Sequence, residues 1–85
     1  GETEIIYRPV GITRHCLEHT RLNPDDIEAM YLCDSERLTQ EEAGTRMGIS
    51  RGTVQRLLYA VRRKVVDALV KGIAISIETE VARID

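Results

Sequence analysis

The spacing of apolar residues changes character along the chain, and each change marks an element. Glu4–Tyr7 (EIIY) has the β-branched and aromatic make-up of a short strand, over about 4–8, closed off by Pro9 and Gly11. The segment 12–22 has no settled period; if it is helical, His15, Cys16, Leu17 and His19 fall together on one turn. Asn23-Pro24-Asp25-Asp26 is a helix start. Asn caps, Pro suits the first helical position, and two carboxylates meet the positive end of the helix dipole. Ile27, Met30 and Tyr31, with Leu32 beside them, carry that helix to about Asp34.

The middle of the chain is punctuated more sharply. Leu38-Thr39-Gln40-Glu41-Glu42 has the form of a capping box, with Thr39 as cap and Glu42 reaching back three residues later. The helix it opens runs only to Met47, because Gly48 supplies a left-handed stop. Ile49 follows as a buried plug. Ser50 caps a second helix with no breaker before Gly72, about 20 residues or 30 Å long. Val54, Leu57, Leu58, Val61, Val65 and Leu69 are expected on its buried stripe. Beyond Gly72 the period drops to two: Ile73, Ile75 and Ile77 alternate with Ala74, Ser76 and Glu78, a half-buried strand over 73–78. A lone strand needs a partner, and Glu4–Tyr7 is the candidate. The fold class expected is mainly α, a helix-turn-helix core of three to four helices with short N- and C-terminal β-strands, in one domain over 1–85.

Composition narrows what this framework can do. At 85 residues with three tyrosines and no Trp or Phe, the chain must spend its aliphatic side chains on one core, leaving little for a catalytic cleft. No apolar run approaches the roughly 20 residues of a membrane span. Lacking the pattern of a secretory signal, and with Cys16 and Cys33 far apart, the chain is expected to be cytoplasmic with reduced thiols.

Net charge is −2, but it is unevenly distributed. Residues 1–45 are acidic. Residues 46–71 carry Arg46, Arg51, Arg56, Arg62, Arg63, Lys64 and Lys71 against Asp67 alone. Salt screens distant charges over roughly 8–10 Å, so this stretch can attract phosphates within an acidic protein.

Gln40, Gly44, Gly48, Ile49, Val54 and Leu57 stand in the order that a helix-turn-helix requires. Gly44 allows two helices to cross closely, Gly48 takes positive φ in the turn, and Ala43, Met47, Ile49, Val54 and Leu57 form a miniature core. An ordinary helical hairpin shares a capped helix and a Gly turn. Here the whole set of small, turn and apolar positions is met, and the residues left outward at the start of the second helix are those that bond base edges and phosphates. The expected DNA-binding residues are Thr39, Gln40, Ser50, Arg51, Gly52, Thr53, Gln55, Arg56, Tyr59 and Arg63. Ser50, Arg51, Gln55 and Arg56 are placed for base edges, since Arg pairs with guanine and Gln with adenine. Thr39 and Gln40 sit at a helix N-terminus suited to a phosphate. Tyr59, Arg62 and Arg63 lie further along, toward the DNA backbone or solvent.

The stretch LTQEEAGTRMGISRGTVQRLLYAVRRKVVDALVKG resembles region 4 of bacterial sigma factors, the region that reads promoter DNA. It is more closely similar to a small family of uncharacterised prokaryotic proteins, predicted to bind DNA, built around that helix-turn-helix. The resemblance extends to Ile6-Tyr7-Arg8-Pro9-Val10-Gly11-Ile12, to Asp26-Ile27-Glu28-Ala29-Met30 and to Lys71-Gly72-Ile73-Ala74-Ile75, covering roughly residues 6–78. It implies sequence-specific binding of double-stranded DNA and a role in transcription regulation.

A rival reading is a protein-interaction module docking on RNA polymerase or another regulator. An enzyme is not expected, because the chain has no phosphate loop or nucleophile elbow. No cofactor is expected. His15 and His19 have one-turn spacing, with Cys16 and Glu18 adjacent, but lack defined third and fourth ligands, so no metal site is assigned. A homodimer is expected, its terminal strands joined in a shared antiparallel sheet with Ile73, Ile75 and Ile77 facing inward.

Overall fold

A computed structural model describes residues 4–11 and 18–78. His15 and Cys16, named above as metal-ligand candidates, lie outside the described residues. Strand β1 (Glu4–Tyr7) is followed by β2 (His19–Leu22), then by α1 (Pro24–Met30), which runs into a π-helical turn at Tyr31–Ser35. Next come α2 (Gln40–Met47), α3 (Arg51–Lys71) and β3 (Ala74–Glu78).

The helix ends follow from their caps. Thr39 Oγ1 accepts from the Glu42 amide at 3.0 Å, and Glu42 Oε1 accepts from the Thr39 amide at 2.9 Å. Caps of this kind contribute about 0.5–2 kcal/mol. Ser50 Oγ accepts from the Thr53 amide at 3.1 Å to open α3. Gly48 (φ +76°) and Gly72 (φ +72°) end α2 and α3 in the left-handed conformation. At α1 the Asn23 amide donates to Asp26 Oδ2 at 3.1 Å, with Pro24 at the first helical position.

The core is aliphatic. Ala29, Leu32, Ala43, Val54 and Leu58 are buried together, with Met30, Leu38, Met47, Ile49 and Leu57 packed around them. Val61, Ala68 and Leu22 are also buried, beside the sheet-proximal half of α3. Of the expected stripe, Val54, Leu58 and Val61 are buried and Leu57 and Val65 half-buried, whereas Leu69 is 72% exposed rather than core and Ala68 is buried in the last turns instead. The α1 and α2 helices pack against α3 on one side only. A stripe wide enough to hold both Leu57 and Leu69 inward finds nothing to cover it.

The sheet contains a strand that the sequence pattern did not reveal. Its order is β1-β3-β2, with β1 antiparallel to β3 and β2 parallel to it. The α1–α3 helices form the long connection that a parallel pair requires. Both edges of β3 are therefore hydrogen-bonded within one chain, and the open strand edges that motivated a shared intermolecular sheet are absent from β3. Tyr7 and Thr20 flank Ile75, while Ile5 and Leu22 flank Ile77. Ile75 lines a cleft with Ala68 and Leu69, so the isoleucine face turns toward α3, half-buried. Ala74 and Ser76 on the other face are buried, being small residues between bulkier neighbours such as Ile6 and Arg21. Glu4 Oε2 accepts from Ser76 Oγ at 3.0 Å and lies 3.8 Å from Arg21, so one carboxylate ties the three strands. No helix among the described residues is long and apolar enough to cross a membrane.

Candidate nucleic-acid interface

The unit formed by α2, the turn 48–50 and α3 rests on one close approach. A Cβ on Gly44 would sit 2.6 Å from the carbonyl oxygen of Ile49, inside any tolerable contact. The Ile49 amide donates to the Gly44 carbonyl at 2.9 Å, fastening the turn to α2. Half-buried Ile49 and Met47 pack against the core cluster. The start of α3 is thereby held at a fixed angle to α2.

Around that corner the expected residues divide into groups. Arg51, Gln55, Arg56, Tyr59 and Arg63 are exposed on α3, and Tyr59 is 72% exposed. Gln40, at the start of α2, is brought to Arg51 from eleven positions away: Arg51 Nη1 donates to Gln40 Oε1 at 3.4 Å. Gln40, Gln55, Arg56, Tyr59 and Arg63 line one open groove of about 820 Å3 floored by Leu58. Ser50, Thr53 and Arg56 form a relay. Ser50 Oγ and Thr53 Oγ1 are 2.9 Å apart, and Arg56 Nη2 donates to Thr53 Oγ1 at 3.2 Å. Ser50 is therefore occupied as a cap, and Thr39 likewise; Gly52 and Thr53 are half-buried beneath the exposed arginines.

This chain belongs to the DUF134 family. The family described as "Protein of unknown function DUF134" matches residues 4–83. A UPF0251 protein of Dehalococcoides mccartyi is 47% identical over 79 residues, covering 93% of this chain and 68% of that protein. A UPF0251 protein of Desulforudis audaxviator is 47% identical over 72 residues, 85% of this chain and 47% of the relative. In Methanosarcina mazei a UPF0251 protein is 49% identical over 71 residues, 84% of this chain and 42% of the relative. The DUF134 chain thus spans about two thirds of the first relative and less than half of the other two. No solved structure matches it.

Not every cation of the basic stretch is available in this DUF134 chain. Arg62 is held by Asp34 through two bonds, Nη2 to Oδ1 at 2.6 Å and Nε to Oδ2 at 3.2 Å, and its pKa is raised above the usual value mainly by that bonding. Such an exposed pair stabilises little by itself, but it directs Arg62 toward the π-helical turn; sequence spacing had assigned Asp34 no role. Lys64 lies 4.0 Å from Asp26 and donates to the Arg21 carbonyl at 3.4 Å. Burial pushes the Cys33 thiol up, and the adjacent Asp34 carboxylate adds to the effect. Cys33 is a free thiol. His19 is exposed on β2, and the described residues contain no cluster of three or more metal-ligating side chains.

The helix ends also differ in charge. Both α1 and α2 carry acids in the first turn, Asp25 and Asp26 or Glu41 and Glu42. The first turn of α3 has no acid and carries Arg51. The positive end of a 21-residue helix dipole is reinforced there rather than offset, an arrangement unfavourable in isolation and favourable beside an anion.

Proposed function

We propose that this chain binds double-stranded DNA sequence-specifically through a sigma region-4-like helix-turn-helix made of α2, the turn 48–50 and α3, and that it serves as a transcription regulator. The carrying observation is the corner at Gly44 and Ile49. It fixes α3 with its N-terminal turn projecting and with Arg51, Gln55 and Arg56 exposed there.

In this reading the first turns of α3 enter the major groove. Arg51, Gln55 and Arg56 address base edges, where bidentate Arg–guanine and Gln–adenine pairs discriminate. Gln40 braces Arg51 from α2, and Thr53 steadies Arg56. The α2 N-terminus at Thr39 and Gln40 lies against a phosphate, and Arg63, with only the loose 4.0 Å contact to Asp67, reaches the backbone. Ser50 contributes through its cap more than through a base. Tyr59 lies at the boundary of the contact.

Selection from random duplex DNA should yield a short preferred site. On that site Arg51→Ala or Arg56→Ala should each cost about 1–3 kcal/mol and relax preference at one base pair. Arg63→Ala should weaken selected and random duplex to the same degree. Equal binding by all three variants and the parent would remove α3 from the groove.

A further inference from the structure

Two adjacent arginines of α3 are held in opposite ways. Arg63 makes one loose contact, 4.0 Å to Asp67 in the next turn of its own helix, and is exposed. Arg62 is gripped across the fold. Asp34, in the π-helical turn, accepts from its Nη2 at 2.6 Å and from its Nε at 3.2 Å, one on each carboxylate oxygen. Yet Arg62 lines the same groove as Gln55, Arg56 and Arg63. An exposed pair of this kind adds little to stability, so its main consequence is where it leaves the charge.

Taking the DNA reading above as given, we infer that Asp34 is a positioning residue that sets how strongly the chain grips DNA, by holding Arg62 back from the phosphate backbone. Arg62 stands about 16 Å along α3 from Arg51, and the major groove is about 12 Å wide. A helix with Arg51 among the bases therefore carries Arg62 and Arg63 level with the phosphates at the edge of the groove. Arg63 gives up only its 4.0 Å contact to meet one. Arg62 must surrender two hydrogen bonds. It then exchanges one two-pronged anionic partner for another, and the vacated carboxylate is left beside the negative charge of the DNA. Duplex binding thus uses Arg63 and omits Arg62.

Fluorescence anisotropy with the selected duplex and with a random-sequence duplex, each across a salt series, tests this. Asp34→Asn keeps the shape of the side chain, removes its charge and turns one acceptor into a donor. It should tighten binding to both duplexes by at least about threefold and steepen the salt slope by about 0.9, the mark of one added phosphate contact. Arg62→Ala alone should change affinity less than Arg63→Ala does. In the Arg62→Ala background Asp34→Asn should lose most of its effect, because the gain runs through Arg62 rather than through the deleted charge. Thermal melts of these variants should stay close to that of the parent. Affinity unchanged or weakened by Asp34→Asn, or a gain that survives without Arg62, would overturn the inference and leave the DNA reading in place. A folded parent that binds neither duplex would overturn both.

Discussion

Leu58→Ala should lower the melting temperature by about 10–30 °C, whereas Leu69→Ala should leave it nearly unchanged. Leu58 is 1% exposed at the junction of α1, α2 and α3, and Leu69 is 72% exposed. Truncating a buried leucine costs about 2–5 kcal/mol, and each kcal/mol moves the midpoint of a domain this size by about 4–8 °C. Total stability of a small domain is only about 5–15 kcal/mol, so this loss takes up a large share of it. Leu57→Ala, at a half-buried position, should fall between the two. Thermal melts of the three variants fix the rotation of α3, and with it which side chains face outward. An order in which Leu69→Ala is the most damaging would turn the exposed stripe inward and take Gln55 and Tyr59 with it.

Gly44→Ala is the second large effect, and its sign is diagnostic. In an ordinary helix interior, alanine is favoured over glycine by about 1 kcal/mol. Here the new methyl group would stand 2.6 Å from a backbone carbonyl that cannot swing aside as a side chain could. Overpacking of this kind costs about 1–3 kcal/mol, which outweighs the propensity gain. Urea titration should therefore show a net loss of stability, with DNA affinity falling as the corner opens. A stabilised Gly44→Ala variant would mean that α2 and the turn are further apart than described.

The caps and turns of this chain were legible because their chemistry is local. Thr39 with Glu42, Ser50, Gly48 and Gly72 each act within four residues, and each sits where the pattern put it. The role of Gly44 was legible for the same reason. Strand β2 was not. His19-Thr20-Arg21-Leu22 has a single buried residue, Leu22, and exists as a strand only by parallel pairing with β3 more than fifty positions later. No alternation marks it. Leu69 misled because an apolar residue at helical spacing signals a buried face only when something packs over it, and Leu69 sits at the rim of the cleft it shares with Tyr7 and Ile75, mostly exposed. The pairing of Arg62 with Asp34 was equally invisible: it joins positions 28 apart through a π-helical turn that leaves no sequence signature. Of the expected contact residues, Gln40, Gln55, Arg56, Tyr59 and Arg63 line one groove with Arg51 bonded to Gln40 beside it, while Thr39 and Ser50 are engaged as caps.

The most direct measurement is the affinity of the chain for its selected duplex across a salt series, read by fluorescence anisotropy. DNA reading by α3 predicts binding whose logarithm falls linearly with the logarithm of salt, by about 0.9 for each phosphate neutralised and by roughly 2 or more in total. It also predicts that Arg63→Ala makes the slope shallower by about 1. A folded chain that binds no duplex, or whose affinity is indifferent to salt, would contradict it.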